Sequence, residues 1–149
     1  MPDRVKPPER PKAQSWEHFD HGADIGVRGR GPTLDAAFEQ AARALTAVVV
    51  DPGTVRAELA VAIACRAPDH EILLVDWLNA VIYEMAARGM VFGSFEVHIE
   101  DERLTATAHG ERVDPDRHEF GVEVKGATFL AVKVARDDDG WIAQCVVDV

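Results

Sequence analysis

Two cysteines are all that this 149-residue chain contains, Cys65 and Cys145, and each stands in its own apolar run. There is no C-x-x-C and no dense Cys spacing, which excludes a disulfide scaffold and predicts reduced, buried thiols. Long hydrophobic runs are missing as well. The most apolar stretch, near residues 72–87, is interrupted by Asp76, Asn79 and Glu84, so it does not span a membrane. Residues 1–15 lack the apolar h-region of a secretory signal. These absences predict a soluble, cytoplasmic protein. Positive charge is scarce: Lys plus Arg number 16 against 26 Asp plus Glu, a formal net charge of −10. A chain of that sign repels phosphates at long range, which argues against direct nucleic-acid binding. Aromatics make up 7% of the chain, too few to suggest a base-stacking platform. A basic protein surface or a cation is the better match, with most of the acidity read as serving solubility.

Catalytic signatures are absent too. No phosphate-binding G-x-x-x-x-G-K-[ST] loop, serine elbow or H-E-x-x-H helix occurs, and no helix starts where Gly26, Gly29 and Gly31 would need one for a dinucleotide fingerprint. A self-sufficient enzyme is not supported.

What is present reads as one domain, with 47% hydrophobic residues. Residues 1–15 carry four prolines among alternating charges and predict a disordered leader, with the folded domain over 16–149. Trp16–Phe19 and Asp24–Arg30 suggest strands around a His21-Gly22-Ala23-Asp24 turn. Thr33 is an N-cap, and Leu34, Ala37, Phe38, Ala41, Leu45 and Val48 recur at helical spacing to Val49. Val55–Cys65 alternates as a strand. Asp69 caps a second helix, which ends at Gly89 and is apolar on nearly all sides. Phe95–Ile99 and Leu104–Ala108 form a hairpin around Asp101-Glu102. Glu111–Glu119 is a polar loop. Gly121–Lys125, Phe129–Ala135 and Trp141–Val149 are the last strands, the final two joined by a turn at 136–140. The expected fold class is α+β, two helices packed on a largely antiparallel sheet.

Ligand-type residues crowd one stretch, where His18, Asp20, His21 and Asp24 fall within seven positions. Zinc is a poor match, since no cysteine is near and no second His pair has ligand spacing. Asp24 opens a strand directly after a turn. Asp148 ends an apolar strand and reads either as a solvated carboxylate or as a ligand beside a free α-carboxylate on Val149. Asp24, Asp148 and Val149 brought together would form an oxygen cluster suited to a hard divalent cation. His21 reads as a turn residue or as one that orients a ligand. Lys125 reads either as a solvent-facing strand lysine or as a cation serving the acidic cluster or a phosphate. His18 and Asp20 are ordinary strand and turn residues.

His21-Gly22-Ala23-Asp24-Ile25-Gly26-Val27 resembles the H-T-A-D-[VI]-G-[IV] signature of the archease family. Thr33–Phe38 with Ala41-Ala42, Leu73–Asn79, Gly110-Glu111 with Asp114 and His118, Glu123–Lys125 and Trp141–Val149 resemble further family segments, so the likeness covers 16–149. It implies the archease fold. It also implies a protein cofactor, not an enzyme, for the GTP-dependent RNA ligase of tRNA splicing or RNA repair, promoting ligase guanylylation and multiple turnover. The family's metal site would fall on Asp24, Asp148 and the Val149 carboxylate, with Ca²⁺ the expected cation and Mg²⁺ or Mn²⁺ the alternatives. Lys125 matches a lysine important to activation. Two positions depart from the pattern: Gly22 replaces a usual Thr, and Leu130 stands where a His often follows an aromatic. Rival readings are a general chaperone or interaction module and a stand-alone metal-dependent enzyme.

Overall fold

Antiparallel pairing organises the chain into two sheets with both helices packed against them. The computed structural model describes residues 14–149. The strands are β1 (Ser15–His21), β2 (Asp24–Gly31), β3 (Leu59–Arg66), β4 (Met90–Glu100), β5 (Arg103–Arg112), β6 (Gly126–Ala127), β7 (Lys133–Asp137) and β8 (Gly140–Asp148). The helices are α1 (Leu34–Val49) and α2 (His70–Arg88), with a short 3₁₀ turn at Pro52–Thr54. One sheet runs β1-β2-β8-β6, with β7 also on β8; the other runs β3-β5-β4. The fold class is α+β as expected, but the one sheet of the sequence reading is two.

The helices start where the caps are. Thr33 Oγ1 accepts from the Ala36 amide at 3.1 Å, and Asp69 Oδ1 accepts from Ile72 at 2.8 Å. Each bond satisfies a donor that the first turn leaves unpaired. α1 buries an alanine-rich face, including Ala37, Ala41 and Ala44, so it lies very close to β2. At Gly29 a β-carbon would stand 2.2 Å from the Ala41 amide nitrogen and 2.3 Å from the Ala37 carbonyl oxygen. Trp77 of α2 donates its indole N–H to the Phe38 carbonyl at 3.1 Å and meets Phe95 edge-on at 5.7 Å. These rings, with Phe38, Leu45, Leu73 and Leu104, form the core between the layers.

β4 is an edge strand, and α1 covers it with two carboxylates. Asp35 accepts from the Ile99 amide at 2.9 Å and Glu39 from the Val97 amide at 2.8 Å. Edge donors that could template pairing with another chain are thereby used internally. Burial, reinforced by Asp35 and Glu96, raises the Glu39 carboxyl despite the lowering bond from Val97.

Several sequence expectations are corrected. β3 begins at Leu59, not Val55, because the Arg56 amide is taken by the Glu111 carboxylate at 2.5 Å. Gly121–Lys125 is extended but is not a strand: Gly121 and Val122 donate to the Val49 and Val48 carbonyls at the end of α1, at 2.8 and 3.1 Å. Phe129–Val132 is a turn, so β7 starts only at Lys133. α2 is not buried on nearly all sides, for Asp76, Asn79 and Tyr83 form an exposed line. The leader expected at 1–15 lies outside the described residues up to 13; Ser15 opens β1, and Gln14 accepts from Gln40 at 3.3 Å. Cys65 and Cys145 are free thiols, pushed up by burial to about 11 and about 12. No helix is long and apolar enough to cross a membrane among the described residues.

The Gly29 contact predicts an ordering of two glycine substitutions. Gly29→Ala must push α1 off β2 and costs about 3 kcal/mol. Gly22→Ala has open space and meets only the left-handed backbone, at about 1–2 kcal/mol. Urea unfolding midpoints check the order; equal losses would overturn the close-packing argument.

Candidate functional site

The β1–β2 hairpin closes with His21 opposite Asp24, leaving Gly22 and Ala23 as a two-residue turn. Gly22 has φ +63°, a conformation glycine adopts without a side-chain penalty. The departure from Thr at this position therefore suits the turn. β8 lies antiparallel to β2, with Ile25 opposite Val147. One step outward, that register sets Asp24 opposite Asp148. The Val149 amide points to Asp24 Oδ1 at 3.4 Å. On the other side of β8, Gly126 is opposite Asp148, and the Lys125 amide donates to the Asp148 carbonyl at 2.8 Å. Five positions singled out in the sequence, His21, Asp24, Lys125, Asp148 and Val149, thus meet at one end of the five-stranded sheet.

Residues directly opposite across an antiparallel pair share a face, and like charges there repel. Asp24 is half-buried and Asp148 exposed. Among the described residues, no Lys, Arg or His side chain forms an ion pair with either carboxylate. An oxygen-only donor pair with uncompensated charge fits a hard divalent cation. Two side chains do not complete a site: among the described residues no three His, Cys, Asp or Glu groups gather closely enough to hold a metal. A third donor for a cation would have to come from the main chain or from solvent. The Lys125 ammonium is exposed and makes no ion pair with either aspartate.

The pleat separates the other candidates. His21 and Asp24 share one face; His18 and Asp20 alternate to the opposite one. His18 Nε2 lies 2.7 Å from the Ala44 carbonyl in α1. That oxygen can only accept, so Nε2 carries the proton. His18 is thus a structural tie and not a ligand.

Sequence reasoning missed Asn79, reading it as an interruption of an apolar helix. Its side chain donates to the Ala127 carbonyl at 3.3 Å and accepts from the Ala127 amide at 2.9 Å. One amide group thereby takes the place of a neighbouring strand and holds β6 beside Asp148. A two-way amide amid apolar helix positions was the available signal.

A second polar assembly fixes the chain leading toward Lys125. Glu111 is 4% exposed, and His118 is equally buried. Glu111 accepts from the Arg56 amide and pairs with Arg117. His118 Nδ1 accepts from the Asp114 amide at 2.9 Å, so its proton sits on Nε2, 3.2 Å from Glu111 and somewhat off the line of an ideal bond. Burial alone would raise the Glu111 carboxyl; the Arg56 amide, Arg117 and His118 outweigh it and bring it to about 2. The polar loop of the sequence reading is therefore a rigid corner.

The model of the archease protein family matches residues 16–149. The chain belongs to the archease family. It is 40% identical to a protein archease from Pyrococcus furiosus over 141 residues, covering 91% of this chain and 99% of that one. A protein archease from Methanosarcina acetivorans is 37% identical over 143 residues, covering 93% and 98%. The solution structure of Methanobacterium thermoautotrophicum protein 1598 superposes with a TM-score of 0.80 at 32% identity, covering 91% and 99%. A crystal structure of an archease from Thermotoga maritima, at 23% identity and a TM-score of 0.60, shares the fold.

The Glu111 assembly predicts an acid limb in the stability of this archease-family fold. A carboxyl held below its unfolded value stabilises the fold above that value and loses the contribution as pH falls through the folded one. For Glu111 the window runs from about 4.5 down to about 2. Urea midpoints of wild type should fall more steeply across that window than those of Glu111→Gln. Equal slopes would contradict the assignment.

Proposed function

We propose that this protein is a non-catalytic activator of a GTP-dependent RNA ligase, one that joins 3′-phosphate and 5′-hydroxyl ends in tRNA splicing or RNA repair. It would promote guanylylation of the ligase and multiple turnover. The observation that carries the reading is the register that sets Asp24 against Asp148, with no balancing side chain among the described residues. Asp24, Asp148 and the Val149 carboxylate would hold a divalent cation, Ca²⁺ first, with Mg²⁺ or Mn²⁺ as alternatives. When bound, such an ion neutralises the facing carboxylates and offers a contact to oxygens of the partner.

The chain's own residues supply the rest. The closing His21–Asp24 pair puts the two side chains on one face of the hairpin. The bond from the Lys125 amide to Asp148 keeps the lysine at the rim, its ammonium available to a phosphate or a partner carboxylate. Asn79 holds the strand between them. An activator needs an accessible tip and not a substrate cavity. The clefts of about 620 Å³ at the β4–β5 turn and about 480 Å³ beside Glu111 are lined by neither aspartate.

Asp24→Ala and Asp148→Ala are expected to return ligase turnover, with GTP and divalent metal, to the level without the protein. Their melting temperatures in chelator should stay within a few degrees of wild type, while the stabilisation by Ca²⁺ disappears. A short C-terminal tag after Val149 should weaken that stabilisation too. Failure of wild type to stimulate, or full stimulation by Asp148→Ala, would sink the reading. Suppression of aggregation of unrelated clients, indifferent to Asp148→Ala, would favour a general chaperone instead.

A further inference from the structure

The outer edge of β8 is not covered by a regular strand. Ala127 is opposite Val147 and Lys133 opposite Gln144. The edge therefore spends 133 − 127 = 6 steps where β8 spends 147 − 144 = 3, so three residues are surplus. They leave the ladder as a bulge between β6 and β7. The bulge is tied down at every turn. Thr128 donates its amide and its hydroxyl to the Val146 carbonyl at 3.0 and 2.8 Å, and the Val146 amide donates to Leu130 at 3.0 Å. Val132 donates to the Phe129 carbonyl at 3.2 Å, and Gln144 to the Ala131 carbonyl at 3.1 Å. Ala131 is held at φ +52°, a left-handed conformation that is strained for an alanine.

This anchored, strained loop displays two large apolar side chains. Phe129 is 55% and Leu130 51% exposed. The bulge Thr128–Val132 holds neither charge nor proline, two residue classes that commonly blunt an edge. The same segment carries Lys125 at one end, and Leu130 bonds to Val146, two residues from Asp148. At about 3.4 Å per residue, the apolar pair and the acidic tip are separated by about 7 Å along β8. Pre-organised apolar anchors beside charged groups are what protein interfaces concentrate their binding energy in.

We propose that Phe129 and Leu130 are the docking anchors that seat the acidic tip in its partner. The inference rests on the reading above, and the occupant is the RNA ligase itself: an apolar recess with a basic rim. Charge complementarity selects it. A protein that handles RNA ends and GTP presents basic surface, and this chain carries −10. Two copies of so acidic a chain, tip beside tip, would repel.

The test is the double substitution Phe129→Ser with Leu130→Ser, set against Leu130→Phe, which keeps an apolar anchor. The double variant should raise the concentration giving half-maximal ligase stimulation, and the Kd for the ligase, by about tenfold or more. Maximal stimulation at saturation, Ca²⁺ stabilisation and melting temperature should stay as in wild type, and Leu130→Phe should bind like wild type. Asp148→Ala should show the reverse pattern, with stimulation lost even at saturation. An unchanged half-saturating concentration in the double variant overturns the anchor alone. So does sedimentation showing a wild-type dimer that the double variant dissolves, since a second copy would then own the surface. A fall in melting temperature or Ca²⁺ stabilisation would make the pair structural and also overturn it. Wild type that neither binds nor stimulates the ligase brings down the functional reading and the anchor with it.

Discussion

The antiparallel pairing of β2 with β8 is the constraint on which the rest of the molecule depends. It joins the first long strand of the domain to the last, with Val27 opposite Cys145. A contact between such distant parts of a chain carries a loop-closure cost, which the buried face of the two strands offsets. Val27, Cys145 and Val147 are wholly buried there, beneath α1. Because side chains alternate along a strand, a slip of one residue would turn that set away from α1. Burial on one face therefore fixes what happens at the strand ends, where Asp24 comes to stand against Asp148.

Edges are handled differently in the two sheets, and the differences bear on function. Asp35 and Glu39 consume the free donors of β4 from above, at the cost of keeping a half-buried acid. On the other sheet, Asn79 pairs with Ala127 and stands in for a missing strand, and the Thr128–Val132 bulge follows. The first device closes a surface. The second leaves an edge open to view with two apolar side chains turned outward.

Charge is arranged with the same economy. Glu111 is buried among donors and is held ionised far below neutrality. Among the described residues no cationic side chain pairs with Asp24 or Asp148, and the Val149 amide reaches Asp24 only at 3.4 Å. Two carboxylates facing each other unbalanced oppose folding slightly. A compact acidic fold can tolerate that at one end, and the arrangement leaves the end open to a cation.

Local pattern was enough to read the helices, their caps at Thr33 and Asp69, the β4–β5 hairpin and the α+β class, because periodicity and capping act over a few residues. The family likeness in residues 21–27, together with the acid before Val149, also singled out the two facing aspartates in advance. Tertiary structure decided what depends on distant partners. Gly121–Lys125 alternates like a strand, but its first two amides go to the end of α1. Arg56 could extend β3, but a buried carboxylate claims its amide. Asn79 looked like a break in an apolar helix until Ala127 came to lie beside it. In each case the competing partner sits dozens of residues away, and no local pattern encodes which backbone group it will take.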